Sequence, residues 1–428
     1  MTEQEIAGLG PAFASYLGRF HSCFGQKRTA AHFDTYCRGL LSDLPRKSVE
    51  PIALEAGTAV RTLQEFLVTA QWNHEGARTK LQRDVAAAVA EIPDDALGTV
   101  GVIDETSCQK WGAHTPGVQR QYLGCVGKVD NGIVTVHVGV AKGNFQALVD
   151  ADLYVPQSWA ADRDRCRAAG IPAAVRYQPK WRLALDQVIR LADNGLSFDW
   201  LVFDEGYGAA VPFLQILGLV GQKFVAEVPV NFAVRTRAAA KSRRADERLT
   251  AADARRGRQH RLAHGTVRDS VWRVRSATVW VAGRPHTLIV AINEATAEVK
   301  YFLTNATAEP LARVLAVAFR RWTVEQAFRL AKQEAGLMHY EGRDYIGLTR
   351  HLILALIVLG FVAAQTERLR GEKPPGDGRA SVPGAQPPLC GSVPSSPGHP
   401  GIAAHEPGHP LPPAPQRTGH EVAQETAA

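Results

Sequence analysis

Residues 198–229 read FDWLVFDEGYGAAVPFLQILGLVGQKFVAEVP. The apolar run WLVF ends in Asp204 and Glu205, AAVPFLQILGLV has the length and apolar content of a helix, and KFVAEVP reads as a second strand. Just upstream, KWRLALDQVIRLAD carries a helical period. Further upstream, GTVGVIDET (residues 98–106) is another short apolar strand closing in carboxylates, Asp104 and Glu105. QYLGCVGKV and GIVTVHVGVAKG follow, joined by the turn-forming Asp130-Asn131-Gly132, a hairpin signal. A meander followed by alternating strand and helix predicts an α/β fold, a mixed sheet with helices on its faces.

Outward from this core the texture changes three times. Residues 1–95 are helical in pattern, in pieces such as FDTYCRGLL and AVRTLQEFLVTA, with Arg28, Arg46 and Lys47 beside them. This region either touches DNA or caps the next domain. After the first part of the core (96–230), residues 231–305 alternate like strands and open with the basic run VRTRAAAKSRRADERL, a β-rich insertion with a mobile basic loop. Residues 306–370 hold an amphipathic helix, FRRWTVEQAFRLAKQEAGL, and an apolar one, LILALIVLGFVAA, too short for a bilayer and read as buried. Residues 371–428 carry about half of the 25 prolines and no hydrophobic period, a composition that predicts disorder.

The chain has 428 residues, is 45% hydrophobic and 21% charged, and has a net charge of +7. Its pI near 9.1 favours a polyanionic partner. Six scattered cysteines without a C-x-x-C pair argue for a reducing setting, and MTEQEIAGLG lacks a signal-peptide layout. A soluble, intracellular protein without membrane contact is expected.

Two strands ending in Asp-Glu are unusual, because an unpaired carboxylate at a buried strand end is costly. Each alone suits a helix N-cap or a loop salt bridge. Side chains alternate along a strand, so one carboxylate of each pair can enter a shared site. Asp104 and Asp204 directly follow the apolar runs and are preferred; Glu105 and Glu205 are the substitutes. Glu325, on a helix laid across the sheet, would make a third. Three converging carboxylates call for cations, and an all-oxygen set points to two Mg²⁺ or Mn²⁺ ions suited to displacement at phosphorus. Arg321 and Lys332 lie within roughly 40° of Glu325 on a helix and would contact phosphates; Glu334 lies well round the helix and is the poorer candidate. The basic run, with Arg235, Arg237, Lys241, Arg243 and Arg244, suits backbone contact with DNA or a solvated loop. Lys110, Arg120 and Lys128 line a groove or are surface charge. His114 and His339 read as structural, Cys108 lacks a base partner, and Trp111, Trp181 and Trp200 read as core or rim packing.

IDET, FDEGYG and RWTVEQAFRLAKQEAGL resemble the three catalytic blocks of bacterial insertion-sequence DDE transposases, in the branch with a Tyr-x2-Arg-x3-Glu-x6-Lys signature. PRKSVEP, GVQRQYLGCVGKV, ADLYVPQSWAADRDRCRAAGIP and HYEGRDYIGLTRH are similar to other parts of that branch, so the likeness covers roughly residues 15–366. The resemblance implies a ribonuclease-H-like core with a β-rich insertion. It implies Asp104, Asp204 and Glu325 as the metal-binding catalytic triad, and Arg321 and Lys332 as the phosphate contacts. It also implies double-stranded DNA partners, the terminal inverted repeats and a target, probed by a homodimer on paired ends. The signature tyrosine is replaced by Ala318, and the tail after residue 370 has no counterpart. These departures suit a decayed or domesticated copy that binds DNA without cutting it.

Overall fold

A computed structural model describes residues 3–264 and 267–371; the side chains of 3–6, 263–269, 322–326 and 370–371 lie outside the description, as does the Pro-rich tail. The chain opens with helices α1 (Glu3–Gly18), α2 (Lys27–Leu41), α3 (Val49–Glu55), α4 (Val60–Val68) and α5 (His74–Ala90). Strands β1 (Val100–Gln109), β2 (Gln119–Leu123), β3 (Lys128–Lys142) and β4 (Phe145–Leu153) form the meander. Short α6 (Gln157–Ala161) and α7 (Arg163–Ala168) lead to α8 (Lys180–Asp193), β5 (Trp200–Phe203), α9 (Glu205–Gly208), α10 (Val211–Leu219) and β6 (Phe224–Glu227). Short pieces β7 (Ala233–Val234), β8 (Arg243–Arg244), α11 (Ala245–Arg248) and α12 (Ala251–Arg255) precede β9 (Arg258–His264), β10 (Val267–Val281), β11 (Arg284–Asn293) and β12 (Val299–Thr304). Helices α13 (Leu311–Phe319), α14 (Arg321–Glu334) and α15 (Tyr345–Gly371) complete the described chain.

The sheet order β4-β3-β1-β5-β6 has three antiparallel strands followed by two parallel ones, the ribonuclease-H-like arrangement. β12 then pairs antiparallel with β6, and β11, β10 and β9 follow, so the second half of the sheet is hydrogen-bonded to the first. The core strands are apolar on both faces, as strands sandwiched between helices must be: every residue of β5 is buried. α8 covers one face through Gln187, whose amide donates to the Val136 carbonyl at 2.9 Å. α14 covers the other, with the Phe328 ring edge-on to His137 of β3, centroids 5.0 Å apart. The basic run is less of a loop than its composition suggests, since it contains β8 and α11, and α12 and β9 follow directly.

Two local readings are corrected. Asp130-Asn131-Gly132 is not a turn: Gly132 pairs with Gln109 of β1 and with Gln119 of β2, inside β3. The glycine is there for closeness, because a Cβ would sit 2.4 Å from the Cys108 carbonyl oxygen. The chain reverses instead at residues 124–127, where Gly127 has φ +65°. Trp111 is not packed: it is 75% exposed, whereas Trp200 is buried and Trp181 stacks obliquely on Phe213.

α15 is longer than its apolar stretch alone implies. Tyr345–Leu369 has the length and hydropathy to cross a membrane, yet 78% of its apolar window is buried inside the protein. It is the hub of the helical layer. Tyr16 Oη donates to the Ile357 carbonyl at 3.0 Å, Phe13 packs on Phe361, and the Arg350 guanidinium lies over Trp72. Beneath it, Arg78 of α5 donates to Asp152 of β4 at 3.1 Å, and Arg190 of α8 reaches Asp150 at 2.7 Å and Asp152 at 2.5 Å. Such a buried set is stable only because each charge has partners; removing one would strand the others.

Candidate active site

The site begins with strand register. Ile103 of β1 is level with Phe203 of β5, and Phe203 with Ala226 of β6. One residue further on, Asp104, Asp204 and Glu227 therefore stand abreast on three neighbouring parallel strands, where β5 and β6 end. β1 does not close at Asp104 as its apolar run suggests but continues, paired with β3, to Gln109. Glu227 is the residue that sequence reading passed over. KFVAEVP carries one clear signal, a lone acidic residue closing a buried strand.

Alternation along β1 separates Asp104 from Glu105. Glu105 is held by Lys180 of α8, with Nζ to Oε2 at 2.7 Å. Asp104 meets α14 instead: Arg321 Nη1 donates to its Oδ2 at 3.3 Å, and Arg321 Nη2 lies 3.7 Å from Glu227 Oε2. Glu227 in turn takes Lys300 of β12 at 2.8 Å. Arg321 is the first residue of α14, where the helix dipole disfavours a cation, and both carboxylates offset that cost.

Asp204 N-caps α9: its Oδ1 accepts from the Gly206 and Tyr207 amides at 3.0 and 3.3 Å. The capping role and an acidic site are compatible, because Oδ2 makes no hydrogen bond among the described residues. Gly208 lets α9 close against β6, since a Cβ there would fall 1.9 Å from the Glu227 carbonyl oxygen. Tyr207 is 2% exposed and its hydroxyl has no hydrogen-bond partner among the described residues. Burial raises its phenol far above the ordinary range, and the nearby carboxylates of Glu105, Asp104 and Asp204 add to the effect.

Glu325 lies in α14, one turn after Arg321 and just under one turn before Phe328; its side chain lies outside the described residues. Lys332, in the last turn, is near enough to Cys108 and His137 to oppose a proton on the imidazole and favour the thiolate. His137 is directly across from Asp104 in the β1–β3 ladder, and burial lowers it to about 3, so it is neutral. Burial raises the Cys108 thiol, which argues against a nucleophile. Where the signature has tyrosine, Ala318 is buried, and neighbouring Phe319 packs on Trp272 and Phe302. Neither reaches outward to take a tyrosine's place.

The expected basic contacts divide. Arg235, Arg237, Lys241, Arg243 and Arg244 are all exposed, and Arg244 is bound at both ends of its fork by Asp246. They cluster between β6 and β9, separate in sequence from Arg321 and Lys332. Lys47 is not a surface residue: it is 3% exposed and its amine donates to the Glu334 carbonyl at the end of α14. His339 is structural, accepting the Lys47 amide at 2.9 Å.

Among the described residues no three His, Cys, Asp or Glu side chains form a metal-holding set by themselves. The donor chemistry nevertheless fits a hard divalent cation: two adjacent aspartates with a cation, Arg321, already drawn to one of them.

A ribonuclease-H-like sheet with aspartates level on its adjacent central parallel strands defines a class of phosphodiester-cutting proteins, and comparison of sequences agrees. The chain belongs to the DDE superfamily endonuclease family, which matches residues 19–289. That span includes Asp104 and Asp204 and ends before α14. The chain is also similar to the probable transposase for insertion sequence element IS701 of Microchaete diplosiphon, 30% identical over 219 residues. The alignment covers 50% of this chain and 53% of that protein, about half of its length.

Proposed function

We propose that this chain is a DDE transposase that cuts the ends of an insertion sequence and joins the freed 3′-hydroxyls to target DNA. The observation that carries the reading is the abreast placement of Asp104 and Asp204 beneath a helix whose Arg321 already reaches Asp104. Asp104 and Asp204, with Glu325 from α14, would hold two Mg²⁺ or Mn²⁺ ions. When bound, these supply an activated water or 3′-hydroxyl and neutralise the leaving oxygen. Arg321 then transfers from carboxylate to phosphate, binding the scissile group and aligning it for in-line attack. Lys332 holds a neighbouring phosphate. The fixed Asp204 cap orients its second oxygen, and the helix packed on the sheet limits water access.

The helical residues 1–95 and the strands of 231–305 would grip the terminal repeats, with the exposed arginines of the basic run neutralising phosphates. Two ends cut together favour a homodimer, in the bacterial cytoplasm where the nucleoid lies. The loss of the signature tyrosine at Ala318 favours a second reading, a copy that binds DNA without cutting it.

The test is cleavage and joining of labelled duplexes taken from the DNA flanking the reading frame, with Mg²⁺ or Mn²⁺, by the purified protein and its Glu325→Gln variant. Metal-dependent joining lost in the variant supports the transposase. Joining that survives in Glu325→Gln removes that residue from the site. Binding without cleavage supports the second reading.

A further inference from the structure

The end of α14 is gripped from outside the catalytic sheet. Lys47 lies between α2 and α3, and its ammonium is buried against the Glu334 carbonyl, in the last turn of α14. A cation is favoured there by the unsatisfied carbonyls and by the helix dipole. Gly336, just past the helix, has φ +58°, and a Cβ on it would lie 2.7 Å from Lys47 Cβ, so lysine and glycine fit one another closely. The helix closes with the Leu337 amide on the Ala331 carbonyl at 2.9 Å. The same turn is held again from α2 and α15: His351 bonds the Gly336 carbonyl at 3.0 Å, and Tyr36 bonds His351 at 2.9 Å. From β1, the Cys108 thiol donates to the Met338 carbonyl at 3.4 Å.

We infer that Lys47 is a positioning residue for the catalytic helix: it fixes how far α14 advances along its axis, and thereby where Glu325 stands over Asp104 and Asp204. Glu334 is nine residues from Glu325, about 13 Å along the helix, and a helix transmits an axial shift with little loss. Arg321 sits at the opposite end of α14, on Asp104. The helix is therefore pinned at its first turn by the site and at its last by the N-terminal segment. The α2–α3 connection acts on the reaction through protein, without Lys47 touching DNA. This inference rests on the reading of α14 as the bearer of the third carboxylate.

Full-length Lys47→Met and Lys47→Arg are compared with the unaltered chain by three measurements. These are hydrogen exchange of residues 321–334, the Mg²⁺ concentration giving half-maximal cleavage of labelled duplex ends, and affinity for the same duplexes. Lys47→Met is expected to speed exchange in 321–334 while α2 stays protected, and to raise the Mg²⁺ requirement by about ten-fold or more. Affinity for DNA should stay unchanged, and Lys47→Arg should restore the other two. Gly336→Ala, which displaces Lys47 from the other side, is expected to reproduce the shift and carries the test should Lys47→Met not fold. Unaltered exchange with an unaltered Mg²⁺ requirement overturns the inference. Weaker DNA binding with unaltered exchange overturns it too, making Lys47 a DNA contact. If the unaltered chain cuts no duplex, the transposase reading fails, and hydrogen exchange alone decides whether Lys47 holds α14.

Discussion

Arg321 Nη1 lies 3.3 Å from Asp104 Oδ2, so the cation expected to meet a phosphate rests on one of the carboxylates expected to hold a metal. One guanidinium cannot serve both at once. Arg321→Gln should therefore tighten Mn²⁺ binding, read by titration calorimetry, while slowing cleavage by about 100-fold because the phosphate loses its clamp. Weaker metal binding in the variant would show that Arg321 organises the carboxylates rather than competing for them.

Gly208 lies where α9 closes on β6. A Cβ there would fall 1.9 Å from the Glu227 carbonyl oxygen, and backbone cannot swing away as a side chain can. Gly208→Ala is expected to cost about 3 kcal/mol, visible as a lower urea midpoint at unchanged slope. A midpoint within error of the parent would mean that α9 can lift from the sheet.

The Tyr207 hydroxyl is buried without a partner among the described residues. Removing an unsatisfied group relieves a desolvation penalty, so Tyr207→Phe should be neutral or stabilising by up to about 1 kcal/mol. Destabilisation by more than that in urea unfolding would reveal a bond made by the hydroxyl in solution.

His351 is buried between Tyr36 and the Gly336 carbonyl, and burial lowers it to about 4. Its folded value lies below its unfolded one, so the neutral form favours the fold. That stability is complete above about pH 6.5 and is lost as the pH falls toward 4, at about 1.4 kcal/mol per pH unit. The unfolding free energy of His351→Gln, followed from pH 7 to 4, should fall less steeply than the parent's. Parallel curves would place the acid sensitivity elsewhere.

Within the basic run, Arg237, Lys241 and Arg243 are exposed, whereas Arg244 is engaged with Asp246. Alanine at each of the first three should lower DNA affinity and reduce the slope of log affinity against log salt by about one. Alanine at Arg244 should do less. Equal effects at all four would mean that the Asp246 pair opens on binding.

Two strands of the core, β1 and β5, were legible because each carries an apolar run followed by Asp-Glu, and parallel register then brings Asp104 and Asp204 level. What escaped reading depends on contacts distant in sequence. Gly132 looks like a turn residue, and only the approach of Cys108 across the ladder shows it to be a strand glycine. Glu227 gains its place from Arg321, 94 positions later, and Lys47 looks like surface charge until Glu334 covers it. Trp111 defeated the opposite rule, an aromatic side chain left in solvent where composition argues for burial.

β12 is laced to β6 through Phe302–Glu227, Leu303–Ala226 and Thr304–Val225. The strands beyond it are thus not a flap on a flexible stalk but an extension of the same girder. The ladder leads from β9 and β10 through β11 and β12 to β6 and Glu227, whose carboxylate lies beside the guanidinium of Arg321.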